Sequence, residues 1–324
     1  MPHKNALKKL ETYGKDVLQL DSLCNAYFKN SSKYGLRDEN LDLKAFLEYS
    51  ASLDMQTILP PLHMDKYVYI RELAAGCVQM LWQGWKVIPY KTNRKSYAKS
   101  IKEYAHNLRW TWEILDTLLI DPCYGPAKIS LDAVCEMEYD SVGVEVCEHF
   151  RPYILQAFQS MLPDIRFGAI QALHVLYPYD DDAHNILEAD ALQAYIDATR
   201  DPIEKNRDWA CFKLHNFIAN LTPEVETAFI ERFKNEIPGS DVYAEAVFGL
   251  ARMGRNDLVE DLICEKLARE DFGTGWVDAA AEYCHTPKCR TDLTGALAML
   301  NEKFPEDSCI DRISEALNTW DDPD

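Results

Sequence analysis

The sequence predicts an all-α fold, an α-solenoid of antiparallel helix pairs with an irregular N-terminal part. Three observations carry that prediction. Apolar residues recur with a 3.6-residue period along most of the 324 residues, while alternating strand-like runs and Asn-Gly hairpin turns are missing. The 13 glycines fall largely between periodic segments, as at Gly239 in "IPGSD" and Gly254 in "RMGRND", where helices should stop. The third observation is internal self-similarity.

Two segments, "DKYVYIRELAAGCV" (65–78) and "DPIEKNRDWACFKL" (201–214), share one frame: Asp, five residues, Arg, two residues, Ala, three residues, then Val or Leu. Asp65, Arg71, Ala74 and Val78 match Asp201, Arg207, Ala210 and Leu214. The frame recurs without its Asp at Arg166, Ala169 and Leu173, and more loosely at Tyr243, Ala246 and Leu250, then at Trp276, Ala279 and Tyr283. Successive first positions lie 41, 36 and 33 residues apart from Arg166 onward. The 95 residues between Arg71 and Arg166 leave room for two degenerate units. An alanine at a helix crossing lets two backbones approach, and the residue four further on shares its face, so both belong between neighbouring pairs. Asp65 with Arg71, and Asp201 with Arg207, are expected to form a hydrogen-bonded ladder that fixes the stacking. Because only these two units keep both members, the ladder is expected to be broken and the superhelix irregular.

From the same periodicity, helices are expected near 184–199, 203–219, 222–236, 240–253, 256–270, 273–284, 288–303 and 308–319. The N-terminal part holds one clear repeat and an insert, "WQGWKVIPYKTNRKSYAKSIKEYAHNLRWTWEIL", whose residues 86–102 are basic. We therefore expect a helical region with degenerate repeats over 1–160 and a repeat array over 161–324.

The chain carries 34 basic and 53 acidic residues, a net of −19. Residues 1–120 hold 17 and 13 of these, a net of +4, which leaves −23 for residues 121–324. A negative field repels phosphate backbones and speeds encounter with basic partners, so nucleic acid is not expected as a ligand. No apolar run approaches the length of a membrane span, and from the polar start "MPHKNALKKLETYGKD" no secretory signal is expected. The cytoplasm is the expected compartment.

No GxxxxGK[ST], GxSxG, HExxH or GxGxxG motif occurs, so catalysis is not expected. The ten cysteines are scattered, form no CxxC, and should be reduced. "CHTPKC" places Cys284 and His285 near Cys289 but lacks a second ligand pair, so neither a metal nor a cofactor is expected. Cys147 and His149 of "CEHF" stand two apart on a helix and point to different faces. The acidic stretches "YPYDDDAH" and "CEMEYD" lack the spaced ligands and glycine of a calcium loop, and Asp180 or Asp182 is expected to cap a helix beginning near Ala183.

The repeated frame resembles the HEAT repeat, in which antiparallel helix pairs stack and the second helix carries such a signature. More narrowly, "DPIEKNRDWACFKL", "FIERFKNEIPGSDVYAEAVFGLARMGRNDLVEDLICEKL" and "GWVDAAAEYC" resemble a bacterial subfamily of HEAT-like proteins with repeats of the PBS-lyase type. Some of that subfamily are encoded beside Rhs-type polymorphic toxins as immunity proteins. The resemblance implies stoichiometric binding, with an acidic concave surface covering a basic toxin domain.

Residues flanking the frame should face the groove or its rim: Phe167 and Gln171; Asp208, Trp209 and Phe212; Tyr243, Glu245 and Phe248; Trp276, Asp278 and Glu282. Aromatic and acidic side chains together suit a basic protein surface. Two readings compete. Some HEAT-like proteins are alkylpurine glycosylases of DNA, and Trp82, Trp85, Trp110 and Trp112 stand near Lys86, Lys91, Arg94, Lys95, Lys99 and Lys102. The other is a general protein-interaction scaffold.

Overall fold

The structure, a computed structural model, describes residues 4–31, 39–87, 94–137, 144–177, 186–216, 218–269 and 272–319. Its regular elements are helices, grouped by contact into two compact units, Met1–Asn185 and Ile186–Asp324. In the first unit, α1 (Lys4–Glu11), α2 (Lys15–Ser31) and α3 (Glu39–Ser50) precede three pairs: α4 (Met55–His63) with α5 (Val68–Gln83), α7 (Trp112–Leu119) with α8 (Tyr124–Cys135), and α9 (Val144–Phe158) with α10 (Pro163–Val175). The insert forms α6 (Arg94–Asn107), preceded by the 3-10 turn Gly84–Val87 and followed by Arg109–Thr111. Helix α8 packs between α5 and α10, and α7 touches α4 and α9.

The second unit repeats the plan. Helix α11 (Ala189–Ala198) pairs with α12 (Glu204–Asn216), and α13 (Pro223–Asn235) with α14 (Asp241–Arg252). Next, α15 (Asn256–Leu267) pairs with α16 (Thr274–Asp278), which continues as the π turn Ala279–Tyr283. Last, α17 (Pro287–Lys303) pairs with α18 (Cys309–Thr319). Second helices stack on second helices, α12 on α14 and α14 on the π turn, while α11 meets α13 and α15 meets α17. These repeating antiparallel pairs are the α-solenoid arrangement.

Local sequence explains where the helices begin and end. The Thr222, Ser240 and Thr286 hydroxyls accept the N–H groups of Val225, Tyr243 and Cys289 at 3.5, 3.3 and 3.1 Å, and Pro223 and Pro287 follow the threonines. Gly239 and Gly254 bracket α14 with φ of 94° and 74°, a region where a side chain would be strained. Helix α11 begins at Ala189 with Glu188 as its extended N-cap; the helix start expected near Ala183, with Asp180 or Asp182 as its cap, lies outside the described residues.

The crossing positions of the frame, Ala74, Ala169, Ala210, Ala246 and Ala279, are all buried. Four residues on, Val78, Leu173, Leu214 and Leu250 have no exposed surface, each contributing about 1.5–3 kcal/mol through burial. Tyr283 breaks the rule. The π turn adds a residue to the helical turn, with Cys284 N–H bonded to the Ala279 carbonyl at 3.0 Å, so Cys284 takes the buried slot instead.

Among the described residues between Arg71 and Arg166, where two degenerate units had room, stand one degenerate pair, α7/α8, and the α6 insert. Ala127 and Ser130 occupy the Arg and Ala positions of that pair, which hid it, while Asp121 keeps the leading place. Helix α10, carrying Arg166, packs on α8 and so belongs to the first unit by contact.

The arginines work in a common way. Arg71, Arg166 and Arg207 each donate Nη1 to the carbonyl six residues back, on Asp65, Ser160 and Asp201, at 2.8, 2.8 and 3.0 Å. The Asp65 and Asp201 carboxylates instead accept the N–H of Tyr67 and Ile203, at 2.8 and 2.9 Å, and the Ser160 hydroxyl does the same for Leu162 at 3.2 Å. The charge partner comes from the next pair. Nε and Nη2 of Arg71 grip Asp121 at 2.5 and 3.0 Å, and those of Arg207 grip Glu236 at 2.8 and 3.0 Å. Serine therefore substitutes for aspartate in the turn.

Candidate functional site

Within the second unit, α12, α14, α16 and the π turn surround a cleft of about 650 Å³. Seven of the residues expected at a groove line it: Asp208, Phe212, Glu245, Phe248, Trp276, Asp278 and Glu282. Asp241, His215, Lys266 and Tyr283 join them. Two of these are spaced to be found, since Asp241 precedes Glu245 by four residues and His215 follows Phe212 by three, each on one helix face. The frame pointed only to its immediate flanks.

The aromatic rings form a continuous row. Trp209 meets Phe212 edge-on at 5.4 Å, Phe212 meets His215 at 5.9 Å, His215 meets Phe248 at 5.9 Å, and Phe248 meets Trp276 at 5.0 Å. The last contact depends on glycine. A Cβ on Gly275 would lie 2.7 Å from Phe248 Cε2, so a larger residue there would push the rings apart.

Carboxylates rim the row. Burial, reinforced by Glu245, Asp241 and Glu204, pushes the Asp208 carboxyl up to about 6. The buried His215 holds Glu245 through Nε2, and Arg312 Nη1 holds both Asp278 oxygens at 2.6 and 2.7 Å. Burial pushes the Tyr283 phenol up to about 12, with Glu282 adding to the effect. Burial lowers the Arg252 guanidinium, whose Nη1 donates to the His215 and Ile218 carbonyls and ties α14 to the end of α12.

The rings already carry cations of the chain itself. Lys213 Nζ lies 5.5 Å from the Trp209 ring centre and 5.7 Å from that of Phe212, and Lys266 Nζ lies 6.0 Å from Trp276. A rim of carboxylates beside rings that accept cations is chemically suited to lysine and arginine side chains.

Four predicted contact residues stand elsewhere. Tyr243 is buried and stacks on Phe233 of α13 at 5.3 Å, so its place in the first helical turn directs it to the preceding helix. Trp209 ends the aromatic row without lining the cleft. Phe167 and Gln171 lie half-buried on α10 of the first unit.

The tryptophans of the insert are packing residues. Trp82 is 2% exposed and donates to Thr111 Oγ1 at 3.0 Å; Trp85 donates to the Glu136 carbonyl at 3.2 Å; Trp112 packs against Phe150. Trp110 is half-buried. Lys99 and Lys102 are exposed on α6, and Lys99 pairs with Glu103. Lys91 and the side chains of Lys86, Arg94 and Lys95 lie outside the described residues. The Cys147 thiol is buried, and His149 bonds Asp116 at 2.7 Å.

No described helix is long and apolar enough to cross a membrane. No family profile matches the chain, and neither does any curated protein. Among solved structures it is similar to the X-ray structure of YibA from Escherichia coli, with a TM-score of 0.52 and 15% identity over 94% of this chain and 97% of that one. Two engineered proteins are more distant. One has a TM-score of 0.47 at 13% identity, covering 95% of this chain and 86% of its own, and the other 0.35 at 14%, covering 97% and 94%. The likeness to YibA shows a shared fold.

Proposed function

We propose that this protein acts without catalysis, by stoichiometric binding of a basic protein, and that its partner is a toxin domain which it neutralises as an immunity protein. The observation that carries the reading is the second-unit cleft, where Phe212, Phe248 and Trp276 sit among Asp208, Asp241, Glu245 and Glu282. Residues 186–324 hold 14 basic and 29 acidic side chains, a net of −15, so the cleft lies in a field that draws in cationic surfaces. Desolvated rings supply the affinity and the carboxylates the rate and the choice of partner. The cytoplasm is the proposed site of action.

The full chain, immobilised and offered the lysate of its own host, should retain a basic protein that leaves as salt rises. The double variant Phe212→Ala, Trp276→Ala should not retain it. Retention of an acidic protein, retention equal in wild type and variant, or salt-resistant capture of duplex DNA would each overturn the reading.

A further inference from the structure

Three thiols meet at the start of α17. Cys289 Sγ lies 3.4 Å from Cys264 Sγ of α15 and 3.4 Å from Cys284 Sγ, the residue that closes the π turn, and all three are buried. Among the described residues no three His, Cys, Asp or Glu side chains are grouped to hold a metal. We propose that Cys289 is the reactive centre of an oxidation site, which a hydroperoxide converts to a disulfide with Cys284 or Cys264.

The chemistry balances in two steps. The Cys289 thiolate attacks one peroxide oxygen, the O–O bond breaks, and a sulfenic acid and hydroxide form. A neighbouring thiol then displaces the sulfenic oxygen, the S–S bond forms and water leaves, so two thiols are oxidised by two electrons while the peroxide is reduced. Both possible partners of Cys289 are already in sulfur contact.

Proximity alone does not make the site, because the molecule contains a comparison. Cys24 and Cys77, on α2 and α5, are also buried with sulfurs 3.6 Å apart. There, hydrogen bonding to Cys77 and then burial hold the Cys24 thiol well above its ordinary value. Cys289 differs in position. It sits in the first turn of α17, three residues after the N-cap Thr286, where the helix dipole favours an anion. Hydrogen bonding to Cys284, joined by Cys264 and Thr286, outweighs burial and lowers Cys289, while Cys284 and Cys264 are raised, so Cys289 is the member of the trio that most readily supplies a thiolate. Exposed His285 and half-buried Thr286 lie in the chain between Cys284 and the start of α17.

The test is timed peroxide treatment of the full chain at neutral pH, followed by alkylation and peptide mass mapping without reductant. The expected product is a cross-link joining the Cys289 peptide to that of Cys284 or Cys264, reversed by dithiothreitol and formed about tenfold faster than any Cys24–Cys77 cross-link. Cys289→Ser should abolish it, while Cys264→Ser and Cys284→Ser should each leave the other route. Cys289 still open to alkylation after Cys24 has reacted, or equal thiol loss in wild type and Cys289→Ser, would overturn the proposal. Because the readout is a covalent mass, the outcome is independent of whether the cleft binds a basic protein.

Discussion

The two units stack by one rule and differ in what covers the face beside it. At the position five beyond the frame's arginine place (Arg71, Arg166, Arg207 and Tyr243), the first unit has Gly76 and Gln171, and the second has Phe212 and Phe248. A Cβ on Gly76 would lie 2.9 Å from the Phe28 ring, so α2 has already filled that face of α5. Phe212 and Phe248 instead line the 650 Å³ cleft. Charge follows the same division: residues 1–185 carry 20 basic and 24 acidic side chains, a net of −4, against −15 for 186–324. The frame thus specifies stacking alone, and the flanking residues decide whether a face is closed by another helix or lines a cleft.

If stacking is common to both units, deleting the same core position should cost the same in each. Leu173→Ala and Leu214→Ala, one in each unit and both without exposed surface, should each lose about 3 kcal/mol in urea unfolding. A large cost in only one unit would break the equivalence. The arginine forks give a smaller version of this comparison. Arg71→Ala and Arg207→Ala should each lose about 2 kcal/mol, since each leaves a carboxylate with little exposed surface, Asp121 or Glu236, without its fork.

The Arg207 fork also has a pH signature. Burial raises the Glu236 carboxyl, but hydrogen bonding and charge from Arg207 and Arg232 prevail and leave it below its ordinary value. Its contribution is therefore complete above the ordinary carboxylate range and lost as pH falls through its lowered value. Glu236→Gln should flatten the acid limb of an unfolding profile.

The cleft should separate binding from stability. Phe212→Ala, at a half-buried ring of the cleft, should weaken the partner complex by about 2 kcal/mol, whereas Gln171→Ala in the first unit should leave it unchanged. Asp208 gives the smallest effect and the most specific. Because its folded carboxyl is raised from 3.8 to about 6, it costs the folded state stability, and the cost grows as pH rises from 3.8 to about 6 and stays constant above that. Asp208→Asn should stabilise the free protein by about 1 kcal/mol at neutral pH, after allowing for partial exposure, and by progressively less as pH falls from 6 toward 4. The same change should slow association with a basic partner. Loss of stability at neutral pH would show that Asp208 has a packing role.

Much of the stacking was legible because Ala and Leu at fixed spacing report directly on close helix approach. The α7/α8 pair escaped because its frame had drifted to Ala127 and Ser130, leaving Asp121, whose side chain accepts the Cys123 N–H at 2.8 Å, as the surviving mark. The π turn carries no spacing signal, so Tyr283 was assigned to the core that Cys284 fills. At the cleft, the residues beside the frame were readable because the second helices line it. Tyr243 was misplaced because the first turn of α14 faces Phe233, and Cys264 was invisible because its contact with Cys289 spans two helices.

The central claim is that the second-unit cleft is the binding surface, and amide hydrogen exchange tests it most directly. With its captured partner bound, the full chain should gain protection in 208–216, 241–248 and 274–283, with little change in 55–83 or 112–175. Protection confined to the first unit, with the cleft segments exchanging as in the free protein, would contradict the account.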